Sequence, residues 1–249
     1  LLPLEAMAQR EDASPICSRM LAEELLQDAR RHADATTLLR KSMRRWPTDP
    51  SSYHSLGNLL WDARKNEEAL ELFRFASCLG DKDEHFARSY FQASTWMRRT
   101  DELVTLLRDR VERYGRKSTD PAKTLASALF QLNRHAEGLT VLEQAIEKHP
   151  ADGALRLYAA NAHLAASNDF LPRAIALVEE AKAISPRDEF LRSSAKLASA
   201  TGDSQRALAL WQELAAMQPY SIDAHQSVAR LLAIIEGPAA PLVYLEQIC

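Results

Sequence analysis

The residues able to do chemistry in this chain are scattered rather than grouped. Its seven histidines, His32, His54, His85, His135, His149, His163 and His225, show no ligand spacing along one helix. Cys17, Cys78 and Cys249 are odd in number, far apart and without a C-x-x-C, so neither a zinc site nor a redox pair is indicated. The G-x-S-x-G elbow, the G-x-x-x-x-G-K-[ST] phosphate loop and the H-E-x-x-H metal pair are all absent. No nucleophile, base and orienting group can be assembled, and the expectation is a non-enzymatic region with no catalytic residues, no metal and no cofactor. Two basic clusters remain. Arg40, Lys41, Arg44 and Arg45 read as the solvated face of one helix, and a second run from Arg108 to Lys117 is interleaved with Asp109 and Glu112. With a net charge of −3, nucleic acid is not expected as a partner.

The elements that must position any site follow from a repeat. Small or apolar residues recur at Ala35, Ala69, Leu103, Gly138, Ala174 and Ala207, at intervals of 34, 34, 35, 36 and 33. A period near 34 marks an array of one supersecondary unit. Proline closes units at Pro47, Pro150, Pro186 and Pro219. Within units, Ala69–Phe73–Ala76, Gly138–Leu142–Ala145 and Ala174–Val178–Ala181 lie at offsets 0, 4 and 7, one face of a helix. Only seven glycines occur, too few for a turn-rich strand protein. No stretch reaches the ~18 apolar residues of a bilayer span, so no membrane segment is expected.

Tyr53, Leu56, Gly57 and Leu60 ahead of the Ala69 tract give a set that resembles the tetratricopeptide repeat. The resemblance runs from about residue 16 to residue 249. It implies an all-α, right-handed α-solenoid of about seven helical hairpins, starting near Ile16, Pro50, Glu84, Thr119, Gly153, Asp188 and Ile222. Residues 1–15 form a leading segment or the end of a preceding repeat. Asp49 and Asp120 ahead of proline, and Asp203 and Ser221, are the expected helix caps. The third unit departs from the pattern. Phe91 stands where a small residue belongs and Arg110 takes the second alanine position, so either the register slips there or the solenoid bends. The fifth unit carries two extra residues around Asn168–Leu171, read as a longer loop.

In the resembled family the concave surface is lined by first helices. The matching positions here are His54, Asn58 and Trp61; Arg88 and Gln92; Lys123, Ser127 and Phe130; Asn161 and Leu164; Arg192 and Lys196; and Arg230. The resemblance thereby implies a ligand groove of His54, Asn58, Arg88, Gln92, Lys123, Ser127, Asn161, Arg192, Lys196 and Arg230. The recurring cations favour an acidic or polar extended ligand, and an asparagine amide both donates to and accepts from a peptide backbone. The Lys/Asn/Arg clamp by which relatives hold C-terminal carboxylates is not reproduced: His54, Asn58, Ser89, Asp120 and Thr124 stand at those places. The implied function is a cytoplasmic scaffold for a protein or peptide segment, with self-association through exposed end repeats as a compatible option. The alternative is a substrate-presenting region of a larger transferase or peptidase. Leu1 in place of Met, and an end at Cys249 in mid-pattern, give the look of a piece of a longer chain.

Overall fold

A computed structural model describes residues 6–7 and 14–248. Among the described residues it is built from fourteen α-helices and two 3-10 turns, with no strand. The helices are α1 (Pro15–Leu25), α2 (His32–Arg45), α3 (Pro50–Asp62), α4 (Asn66–Leu79), α5 (Glu84–Trp96), α6 (Asp101–Tyr114) and α7 (Asp120–Gln131). They continue as α8 (His135–Lys148), α9 (Gly153–Ala166), α10 (Leu171–Ala181), α11 (Arg187–Ala200), α12 (Ser204–Met217), α13 (Ile222–Ile235) and α14 (Ala240–Ile248). The extra residues of the fifth repeat form a 3-10 turn, Asn168–Phe170, between α9 and α10. The leading segment lies almost wholly outside the described residues, as does Cys249. Cys17 and Cys78 are free thiols.

The chain divides into two compact units, residues 1–128 and 129–249, with the division inside α7. The first unit contains the antiparallel hairpins α1/α2, α3/α4 and α5/α6. The second contains α8 and the hairpins α9/α10, α11/α12 and α13/α14. No helix is long and apolar enough to cross a membrane among the described residues.

Helix starts are fixed by short side chains that take up otherwise unpaired N–H groups. Asp49 accepts from the Ser52 N–H at 3.0 Å, Asp152 from Leu155 at 2.8 Å and Asp203 from Arg206 at 3.0 Å. Asp120 is a helical residue rather than a cap, and its own N–H donates to Ser118 Oγ at 3.1 Å. Four hairpin turns share one closing geometry. Arg64, Arg98, Asn133 and Gly202 have φ of 62°, 58°, 58° and 80°. The next N–H reaches back five residues in each: Lys65 to Leu60, Arg99 to Ser94, Arg134 to Leu129 and Asp203 to Ala198, at 2.8–2.9 Å. This is the left-handed C-terminal turn that glycine adopts most readily.

The repeat markers are the core. Ala35, Ala69, Leu103, Ala174 and Ala207 have no exposed surface. Their smallness lets backbones approach: a Cβ on Gly57 would lie 2.8 Å from the Phe73 ring, and one on Gly138 would lie 2.5 Å from Phe130. The third repeat keeps its register. Leu103, Leu107 and Arg110 are all buried at offsets 0, 4 and 7, so the arginine stands in the core where an alanine stands elsewhere. Its guanidinium donates to Glu84 Oε1 at 2.6 Å and to the Ser77 carbonyl at 3.3 Å. The helix therefore holds its phase, and one charged pair fills the volume left by the departure from the pattern.

Candidate functional site

In the first unit, α3 presents His54, Asn58 and Trp61 on one face, and α5 adds Ser89, Gln92 and Trp96. His54 Nε2 lies 2.9 Å from Ser89 Oγ, which itself donates to the His85 carbonyl at 3.2 Å. The serine proton is thus committed, so His54 donates through Nε2 and accepts at Nδ1, where the Asn58 amide stands at 3.5 Å. Burial, and then the neighbouring His85, push the His54 imidazole down to about 4, against a smaller upward pull from Asp83. At neutral pH it is an uncharged spacer between Phe73 and Phe86, with ring centroids 5.6 and 5.5 Å away. Beside it Trp61 and Trp96 meet edge to face at 5.2 Å, over a cleft of 550 Å³.

The two cations expected in this unit stand among carboxylates. Lys123 is 3.7 Å from Asp120. Arg88 donates to the Glu84 carbonyl at 3.4 Å and lines a wide cleft with Asp81, Asp83 and Asp120. Ser127 is half-buried. The basic helix α2 has Arg40 paired with Glu68 at 3.4 Å and Arg45 over the Trp46 ring.

The second unit is different. Asn161 is drawn into the packing of α9 on α11, its amide donating to the Leu157 carbonyl at 2.8 Å and to Ser193 Oγ at 3.2 Å. Farther along, α11, α12 and α13 enclose a cleft of 390 Å³ lined by Lys196, Ser199, Trp211, Ser227 and Arg230, among others. Arg192 is ion-paired with Asp223 and lies 5.9 Å from the Trp211 ring centroid. Lys196 and Arg230 are exposed and have no ion-pair partner among the described residues.

A charged network in the same unit has no counterpart in the sequence reading. His163 is buried, and its Nε2 lies 3.1 Å from Glu143 Oε1. Arg173 grips the same carboxylate at 2.9 and 2.7 Å and reaches Glu180 at 3.0 Å, while Arg156 approaches Glu180 at 3.3 Å. Arg173 holds the Glu143 carboxyl below the usual carboxylate range. The contacting pairs lie 7, 20, 24 and 30 positions apart, so only the fold brings them together. No cluster of three His, Cys, Asp or Glu side chains is arranged for a metal ion among the described residues.

Family models of the tetratricopeptide repeat match residues 51–74 and residues 123–189. No curated protein sequence matches the chain. Among solved structures, yeast Tom70 superposes with a TM-score of 0.62 at 15% identity, over 95% of this chain and 50% of that one. Human IFIT1, solved as a dimer with m7Gppp-AAAA, gives 0.55 at 13% identity, over 94% of this chain and 58% of that one. PilW, a widely conserved type IV pilus biogenesis factor, gives 0.52 at 16% identity, over 88% and 98%. The chain thus spans about half the length of Tom70 and somewhat more of IFIT1, and at these identities the likeness is one of fold. The two repeat matches, the phase of the buried small residues and the paired helices identify tetratricopeptide repeats in this chain, stacked as an α-solenoid.

Proposed function

We propose that this chain binds a polypeptide segment on its first-helix faces, and that the cleft of the second unit holds an acidic side chain of that segment. The observation behind this is the pair Lys196 and Arg230. Both are exposed and make no internal ion pair, on either side of a cleft that also offers the Ser199 and Ser227 hydroxyls and one side of Trp211, and whose one carboxylate, Asp223, is taken by Arg192. An ammonium and a guanidinium that have no partner in the free protein gain one when a carboxylate arrives. The site has cations and hydroxyls but no activated nucleophile, so its work is retention rather than turnover. The acidic preference rests on this pair, because Lys123 of the first unit and Arg192 of the second already have carboxylates of their own.

The test is fluorescence anisotropy with labelled ten-residue peptides of one apolar pattern, carrying Glu, Gln or Lys at the variable positions. The Glu series binds tightest, and its affinity falls with added salt. Reversing Lys196 and Arg230 to Glu weakens it more than tenfold, about 1.4 kcal/mol, with the melting temperature almost unchanged. Reversing Arg40 and Arg44 on α2 leaves binding intact. Equal binding of Glu and Gln peptides, or an unaffected double variant, overturns the assignment.

A further inference from the structure

The cleft of the first unit calls for a different occupant. Trp61 and Trp96 meet at 5.2 Å with their planes 71° apart, so the two indoles form a corner. Trp61 is backed at 6.2 Å by Phe73, which is itself held against the Gly57 backbone, so this wall has no room to retreat. Trp96 is 61% exposed, a large apolar side chain turned to water at the edge of a cleft. The cleft lining carries a single charge, the Asp62 carboxylate, alongside the Asn58 and Gln92 amides. Asp62 is exposed and has no ion-pair or hydrogen-bond partner among the described residues. Lys65, three residues on, lines a neighbouring cleft with Asp62 but makes no ion pair with it among the described residues, and Arg99 is engaged by Glu67 at 2.8 Å.

Ring faces carry negative potential, and a carboxylate beside them adds to it, so the cleft repels an acid and attracts a cation. Of the two basic side chains, arginine fits better. Its guanidinium is planar, stacks on an indole, is less strongly hydrated than an ammonium and presents a fork of donors to a carboxylate. Asp62 accepts part of that fork, and the Asn58 and Gln92 amide oxygens are acceptors for the rest. A volume of 550 Å³ lies within the roughly 300–1,000 Å³ of small-ligand sites.

We infer that the Trp61–Trp96–Asp62 cleft is a binding site for an arginine side chain of the polypeptide ligand. The inference rests on the reading that the ligand is a polypeptide, and it makes the two units select opposite charges. The experiment follows the indole N–H resonances of Trp61 and Trp96 in the intact chain during titration with Ac-Gly-X-Gly-NH2, where X is arginine, citrulline, leucine or glutamate. The arginine peptide moves both resonances and half-saturates at a concentration at least tenfold below that of citrulline, its uncharged near-isostere. Asp62→Asn brings arginine down to the citrulline value. Trp96→Ala, at a site too exposed to support the fold, abolishes the Trp61 shift at an unchanged melting temperature. Equal response to arginine and citrulline, tighter binding of leucine or glutamate, or unmoved indoles overturns the inference. In that case the anisotropy assay of the second unit still stands or falls on Lys196 and Arg230 alone.

Discussion

The two units put their charges in opposite places. In the first, a guanidinium and a carboxylate are sealed in the core, with Arg110 and Glu84 side chains only 1% and 9% exposed, while the cleft outside is made of indoles and one aspartate. In the second, the core beneath the cleft holds no charge, built on Leu191, Ala195, Leu214 and Val228 beside the buried Ser193 and Ser194, and the cations stand at the rim. A buried charge is committed to its one internal partner, because removing that partner leaves an ion in a medium that cannot solvate it. A rim charge is solvated by water until something better arrives. Charge is thus used for cohesion at the Arg110–Glu84 pair, as it is in the Glu143–Arg173 network, and kept available at the Lys196–Arg230 cleft.

The largest expected effect breaks the cohesive half of this contrast. Arg110→Ala strands Glu84, whose Oε2 already lacks a partner, and is expected to cost about 3–5 kcal/mol in urea unfolding. Replacing both residues, Arg110→Met with Glu84→Gln, recovers most of that loss. Arg173→Ala in the second unit removes an equally short ion pair, but its side chains are 37% and 33% exposed, and the cost stays below about 1 kcal/mol. Equal losses for the two single variants would mean that burial does not set the value of these pairs.

Packing gives the next effect and reverses the chain direction between units. In the first, the glycine is on the first helix of its hairpin and the ring on the second, as Gly57 against Phe73. In the second, Phe130 precedes Gly138. Gly57→Leu is expected to cost about 1–3 kcal/mol, with part of it restored by Phe73→Leu. Lys41→Ala, on an exposed face of α2, stays within about 0.5 kcal/mol. A larger loss for Lys41 than for Gly57 in denaturant midpoints would invert the inside-outside assignment.

What was legible in the sequence follows from what is periodic. Ala35, Ala69, Leu103 and Ala207 show the helix pairs because a small buried position must recur whenever two backbones meet at the same place. The groove was legible only as a set of positions. His54, Asn58 and Trp61 follow from helical spacing, but the carboxylates that engage Lys123 and Arg192 come from neighbouring turns and helices and obey no period. Asn161 reads as a groove amide, yet Ser193 of the next repeat claims it. The Glu143–His163–Arg173 network was invisible for the same reason, since its members share no offset. Arg110 was visible as a departure from the pattern. Its meaning was not, because Glu84, 26 residues away, had no mark of a core residue.

A smaller effect separates the turns. Arg64 and Arg98 in the first unit hold the left-handed conformation that Gly202 holds in the second, and a side chain there carries steric strain. Arg98→Gly is expected to raise stability by about 0.5–1 kcal/mol, and Gly202→Ala to lower it by a similar amount. Nothing lies within 4 Å of a Cβ built on Gly202, so any loss there is conformational rather than a clash. Paired thermal melts that show no change at either site would mean the turn relaxes around the substituted residue.

The smallest effect at neutral pH is that of His54, because the group is already uncharged there. Its folded value of about 4 lies below the ordinary imidazole value of 6.5, so between those limits the unfolded chain binds more protons than the folded one. Stability from this group is fully present above pH 6.5 and is lost as pH falls toward 4. Protonation turns Nδ1 from an acceptor into a donor facing the Asn58 amide, brings a second charge toward His85 and places a cation between Phe73 and Phe86, with only Asp83 in its favour. The imidazole resonances of His54 therefore titrate with a midpoint near 4, and hydrogen exchange in the α3/α4 and α5/α6 hairpins quickens as pH falls through that window. His54→Asn keeps a donor toward Ser89 but carries no titrating ring, and it flattens the pH slope in those hairpins while leaving α9–α13 as they were. A His54 midpoint at 6.5 would show that this ring is open to water and that the first unit has no tightly closed aromatic wall.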